Sequence, residues 1–169
     1  MLKKPILLLI LFYLLTGTAC QPRKGAEFGI YLLSRNIPAV ELPAVDINRL
    51  SLEANPIIST RDIISYDQTS HMIELTQEAF TRILGINPIP VNGTPFVVCA
   101  GDQRVYTGAF WTPVSSVSYD GVVIILPYNE TVPGIHISLG YPGPGFFTGE
   151  DPRSDSRLMN ALERVGKLK

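Results

Sequence analysis

The sequence predicts an α+β fold: a mainly antiparallel sheet, one short central helix, and a C-terminal helix packed on a face of the sheet. Three observations predict it. Most apolar segments after residue 26 have the length and two-residue alternation of strands. Only two segments combine helical apolar spacing with helix start and stop signals. Gly and Pro, 14 of each in 169 residues, mark frequent turns between short elements.

The first predicted strand covers residues 27–33, and both of its alternating faces are largely apolar. This pattern is typical of a strand buried on two sides. Residues 34–60 contain three prolines and are predicted to be irregular, with a short strand at 50–52. Residues 62–66 and 71–75 alternate around a polar tetrapeptide, which predicts a hairpin with a four-residue loop.

A helix is predicted at residues 77–84. Thr76 is a good N-cap, and Gly85 follows the last helical residue. Leu75 and Phe80 occupy the two positions of a hydrophobic staple, which fixes the direction in which the chain enters the helix.

A second hairpin is predicted from residues 95–100 and 104–111, and two further strands follow at 122–126 and 135–139. A loop at 140–150 is rich in Gly and Pro. The final helix is predicted to begin after Asp151 or Asp155 and to stop at Gly166. Its apolar side chains recur at helical spacing: Leu158, Ala161, Leu162 and Val165.

The N-terminus has the pattern of an export signal. Lys3 and Lys4 precede an apolar run at 5–15, and small residues then lead to Cys20. The run of about eleven residues is shorter than the roughly 20 that a spanning helix needs. We therefore predict a lipoprotein-type signal peptide at 1–19, a lipidated Cys20 with a short tether at 20–26, and one globular domain at 27–169.

A second cleavage pattern also fits. Residues 17–19 match the small-x-small site of an ordinary signal peptidase, and Gly17 stands where lipoprotein signals usually have Leu. That cut would release a secreted soluble protein, in which a disulfide between Cys20 and Cys99 becomes possible. With Cys20 lipidated, Cys99 is expected to be a small buried apolar residue in its apolar strand.

Charge argues against a nucleic-acid partner. Removal of Lys3 and Lys4 with the signal leaves twelve basic against fifteen acidic residues, a net charge of −3, and no basic patch is visible. Only His71 and His136 could act as a general base near neutral pH. Each falls in a segment predicted as an alternating strand, and the sequence has no nucleophile motif. We predict no catalytic residue from this pattern.

The sequence also predicts no metal ion and no cofactor. Asp67, His71 and Glu74 are the nearest approach to a metal-binding set, but strand alternation would place His71 and Glu74 on opposite faces. No phosphate loop or nucleotide fingerprint is present.

Aromatic residues beside an arginine mark a candidate binding surface. Aromatic side chains and Arg are the usual anchors of such surfaces. The alternative is that these rings fold back into the core. The candidate residues are Tyr141, Phe146, Phe147 and Arg153 around the Gly/Pro-rich loop, with Trp111 on a second segment.

Two resemblances accompany these patterns. The segments at 73–80, 93–98 and 101–105 resemble, over about residues 71–126, the extracytoplasmic head subdomain of the accessory membrane protein of the Sec translocon. Segments 108–113 and 140–142 are similar to those of uncharacterised bacterial envelope lipoproteins. The second resemblance implies a location in the cell envelope and no activity.

The resulting expectation is a lipid-anchored, extracytoplasmic bacterial envelope protein that acts as a non-enzymatic binding or accessory module. Its expected partners are the membrane, through the N-terminal lipid, and an envelope protein. The alternative is a hydrolase of envelope polymers that uses acidic residues, and a structural spacer is a third option. The sequence leaves the oligomeric state and the choice between inner and outer membrane open.

Overall fold

The computed structural model describes residues 27–35, 37–126 and 132–169. The predicted signal peptide and tether lie outside these residues. Within the described part of the chain, eight strands form one curled sheet in the order β2-β1-β5-β6-β7-β8-β4-β3. The strands are β1 Phe28–Leu32, β2 Ile58–Ser59, β3 Ile63–Asp67, β4 Met72–Leu75, β5 Thr94–Ala100, β6 Gln103–Trp111, β7 Tyr119–Ile125 and β8 Gly134–Tyr141.

All neighbouring strands pair antiparallel except β6 and β7, which are parallel. The predicted α+β class with a mainly antiparallel sheet is confirmed. Both predicted hairpins are present, as β3–β4 and β5–β6. The parallel pair was not expected, because alternation within a strand carries no information about the direction of its neighbour.

The two helices are α1 Gln77–Leu84 and α2 Ser156–Arg164. The Thr76 side chain accepts a hydrogen bond from the Ala79 amide at 3.2 Å, as expected of an N-cap. Asp155 caps α2 in the same way, and α2 ends before Gly166, whose φ of 67° favours glycine. Among the described residues, no helix is long and apolar enough to cross a bilayer.

One face of the sheet, called the inner face below, packs against both helices. Its buried side chains and those of α1 and α2 form a single apolar cluster. Members of this cluster include Ile30, Phe96, Phe110, Ile124 and Ile137 from the sheet, Phe80 and Ile83 from α1, and Leu158 and Leu162 from α2. The predicted apolar faces of both helices are therefore buried, except for Val165, which lies beyond the end of α2 and is exposed.

The opposite, outer face is covered over only part of its width. The segment predicted as irregular forms two short 3-10 helices, Ala39–Ala44 and Ile47–Arg49. The expected strand at 50–52 is reduced to a single bridge between Leu33 and Leu52. This segment, called the covering segment (37–52), packs on the outer side chains of the central strands, including Val97, Cys99, Ala109, Trp111 and Val123.

Gly108 is the point where strand spacing and core packing both require the absence of a side chain. A Cβ atom at this position would lie 2.5 Å from the Phe96 ring and 2.7 Å from the Val122 carbonyl oxygen. Neither neighbour has free space to move into, since Phe96 is fully buried and the Val122 oxygen belongs to the backbone.

Gly108→Ala is therefore expected to destabilise the domain by about 1–3 kcal/mol, the usual cost of overpacking. Gly145→Ala is the matched control, because a Cβ atom there meets nothing within 4 Å. Urea unfolding of both variants measures the difference, and the control is expected to stay within about 0.5 kcal/mol of the natural protein. Equal stability of the two variants would contradict the packing described for β5 and β6.

Candidate binding surface

The outer side of β4 and of the first half of β8 carries exposed side chains. Met72 and His136 are cross-strand partners and point to the same side of the sheet. Met72 is 42% exposed, and His136 is also exposed. We call this region the open face and define it by Met72, Glu74, His136 and the half-buried Ser138.

A cleft of about 450 Å³ occupies one half of the open face. Its apolar part comes from Met72 and from Val132, which is 68% exposed. Its polar part is paired: Ser65 Oγ donates to Glu74 Oε2 at 3.0 Å, and Lys169 Nζ lies 3.6 Å from the same oxygen. The cleft therefore joins an apolar patch to a charged rim.

The C-terminal tail builds one side of this cleft. The Tyr66 amide donates to the Lys167 carbonyl at 2.7 Å, and the Lys169 amide donates to the Tyr66 carbonyl at 2.8 Å. Residues 167–169 thus extend the sheet alongside β3, with Leu168 packed against the inner core. This pairing satisfies backbone groups that a free edge strand would expose, and it fixes Lys169 at the rim.

A second cleft of about 410 Å³ occupies the other half of the open face. His136 and Ser138 project into it from β8, and His136 Nδ1 lies 2.9 Å from Ser138 Oγ. Arg153 closes one side, and its Nη1 donates to the Ile137 carbonyl at 2.8 Å. Its Nε and Nη2 bind both carboxylate oxygens of Asp151, at 2.9 and 2.7 Å. The guanidinium is therefore held in a fixed orientation.

A buried Tyr66–His71 pair lies between the hairpin and the Arg153 loop. Tyr66 Oη and His71 Nδ1 are 3.0 Å apart, and Tyr66 Oη also donates weakly to the Arg153 carbonyl at 3.4 Å. His71 was expected on an alternating strand, but it lies in the turn before β4 with φ at 56° and is 7% exposed. A tight turn, unlike a strand, can direct this side chain inward.

The electrostatic environment of His71 disfavours its charged form. Burial, followed by the positive charge of Arg153, lowers the pKa of His71 below its usual value of 6.5, while Asp151 and Asp67 oppose the shift. His136 adds to the lowering. With His71 buried and Glu74 exposed, Asp67, His71 and Glu74 do not converge on one point. Across the described residues, no group of acidic, His and Cys side chains is arranged to hold a metal ion.

Two of the aromatic residues predicted for the binding surface belong to the core, and this part of the prediction is corrected. Trp111 is 0% exposed and stacks on Tyr119 with ring centroids 5.0 Å apart. Tyr141 is 8% exposed, and its hydroxyl donates to the carbonyls of Pro113 and Ser115. Both rings lie beneath the covering segment, so neither can contact a partner in the folded domain.

The remaining predicted residues lie at or near the surface. Phe146 is 50% exposed at the tip of its loop, while Phe147 is half-buried. Arg153 lines the second cleft. Met72, His136 and Ser138 were missed as binding residues. The alternation of their strands indicates an exposed side, but not that this side lacks a covering element.

Cys99 is a buried core residue, as its position in an apolar strand predicts. It is 4% exposed, and burial raises the pKa of its thiol to about 11. It is free in the described structure. Cys20, the alternative disulfide partner, lies outside the described residues.

No protein-family model, no curated protein and no solved structure matches this chain. The resemblances to envelope lipoproteins and to the Sec subdomain therefore remain predictions from the residues alone.

The folded state is expected to lose stability as the pH falls below about 6.5, because His71 has a lower pKa in the folded than in the unfolded chain. The unfolded chain then binds the extra proton, and the loss levels off below the folded pKa. His71→Asn tolerates the positive φ but has no imidazole, so the fall in unfolding free energy between pH 7.5 and 5.5 should be smaller.

His136→Asn is the control for this measurement, since it removes an exposed imidazole from the same region. Urea unfolding at the two pH values compares the natural protein with both variants. An unchanged pH dependence in His71→Asn would show that His71 is not the responsible group.

Proposed function

We propose that the chain is a lipid-anchored protein of the bacterial cell envelope whose domain binds a partner protein through the open face. The signal pattern and Cys20 support the anchor. The open face supports the binding, since it is an exposed, partly apolar region of an otherwise covered sheet. In this proposal the lipid holds the domain at the membrane and raises its effective concentration toward membrane partners.

The observation that carries the proposal is a difference in burial across the outer face: the central strands are covered, and the outer side chains of β4 are exposed. The covering segment helps to bury the outer side chains of β5 and β6, whereas Met72 and His136 are exposed. Met and Arg are enriched in protein interfaces, while polar groups form their rim. The open face has this arrangement, with Met72 central, Arg153 in the adjoining cleft and Glu74 with Lys169 at one edge.

The pKa shifts of two acidic residues beside the clefts bear on the hydrolase alternative. Hydrogen bonds from Ser70 lower the pKa of Asp67, and hydrogen bonds from Arg153 lower the pKa of Asp151. A general acid needs the opposite shift, toward a raised pKa. The hydrolase alternative therefore gains no support from these carboxylates.

Site-specific photo-crosslinking in intact cells tests the proposal. A photoreactive amino acid at position 72 is expected to capture a defined protein, whereas the same group at position 114 is not. Val114 is a suitable control because it is 71% exposed and belongs to the loop after β6. Mass spectrometry identifies the captured protein, and an export component would also support the Sec resemblance.

A second substitution shows whether the captured protein occupies the open face. Ser138→Arg places a large charged side chain in the neighbouring cleft and should abolish capture from position 72. Val114→Arg should leave capture unchanged. Thermal melting of both variants confirms that they are folded. Equal capture from positions 72 and 114, or capture that survives Ser138→Arg, would contradict the proposed face.

A further inference from the structure

We propose that one end of the sheet rests against the bilayer and that the Phe146 side chain enters the lipid interface there. This inference rests on the proposed lipid anchor at Cys20. It assigns the exposed aromatic residue of the 140–150 loop to the membrane, and it leaves Met72 and the first cleft for a protein partner.

Strand pairing places the start of the domain and the Phe146 loop at the same end of the sheet. Phe28, the first residue of β1, pairs with Ala100 at the end of β5. A tight turn after Ala100 leads into β6, so the start of β6 lies at the same end. Because β7 runs parallel to β6, the start of β7 lies at this end too. Tyr119 at the start of β7 pairs with Tyr141, from which the Phe146 loop departs.

The tether is too short to hold this end far from the membrane. Residues 21–26 separate Cys20 from Glu27. Even a fully extended chain spans about 3.6 Å per residue, so Glu27 lies within roughly 25 Å of a lipidated Cys20. The opposite end of the sheet is a full strand length further away, and the exposed Val132 lies there, just before β8.

The Phe146 loop is held in place before it meets lipid. The Phe146 amide donates to the Gly143 carbonyl at 3.0 Å, and the Thr148 amide donates to Asp120 Oδ1 at 2.7 Å. Gly140 has φ at 64°, and its lack of a side chain leaves room for the Gly143 carbonyl oxygen. That oxygen lies 2.7 Å from the position that a Cβ atom would take. An ordered loop loses little conformational freedom on binding, so burial of the exposed ring can drive insertion.

The charged residues at this end have both signs. Glu27, Asp102 and Asp120 are exposed there, Arg104 lies at the start of β6, and Arg23 and Lys24 belong to the tether. These charges partly offset one another, so the aromatic ring is expected to contribute more to lipid contact than headgroup charge does. Phe is among the apolar residues that interfacial segments bury at the boundary between headgroups and acyl chains.

Fluorescence quenching on vesicles tests the orientation. A chain that begins at Cys20 is joined to a maleimide lipid, which spares Cys99 because its thiol is buried. Two variants, Phe146→Trp and Val132→Trp, are placed on phosphatidylcholine vesicles with and without bromine on the acyl chains. The buried Trp111 contributes the same background to both and is measured in the natural chain.

Bromine is expected to quench the Trp at position 146, with a blue shift of its emission, and to leave the Trp at position 132 unchanged. Quenching at position 132 alone, at both positions or at neither would overturn the inference. Chemical conjugation makes this result independent of cellular lipidation. Failure of the anchor itself is detected separately, by the mass of the N-terminal peptide from cells.

Discussion

Burial of β5 and β6 on both faces is the constraint on which the rest of the structure depends. On the inner side, Phe96 and Phe110 pack with ring centroids 5.1 Å apart, and both are fully buried. On the outer side, the Trp111 ring stacks on Tyr119, contacts Tyr141 and belongs to one apolar cluster with the covering segment. This cluster does not include the outer side chains of β4, where Met72 is 42% exposed.

This division of the sheet separates three tasks in space. The centre, buried on both faces, stabilises the fold, one side presents the open face, and one end carries the start of β1 and the Phe146 loop. In our proposal Phe146 contacts lipid and Met72 contacts a protein partner. Pro144, in the same turn as Phe146, borders the second cleft.

Local sequence signals predicted those elements whose causes are local. Thr76 and Asp155 cap helices through their own side chains, and the β3–β4 hairpin follows from alternation around a polar turn. The burial of Trp111 and Tyr141 could not be predicted in this way. Their burial depends on a segment many residues distant, and composition alone does not distinguish a buried aromatic side chain from an exposed one.

The candidate site was only partly predictable for the same reason. Arg153 was identified from its charge beside an aromatic loop, and the structure places it in a cleft. His136 was recognised as part of an alternating strand, yet the polar side of most such strands simply faces solvent. What distinguishes this one is the joining of β4 to β8, a pairing between strands about 60 residues apart in sequence.

Oxidative footprinting of methionine tests the central claim, that the open face is free in the isolated domain and occupied in the cell. Met72 is 42% exposed and Met159 only 8%, so Met159 serves as an internal control. We predict that a short peroxide pulse oxidises Met72 in the purified protein and spares it in intact cells, while Met159 resists in both. Equal oxidation of Met72 in both settings would contradict the account.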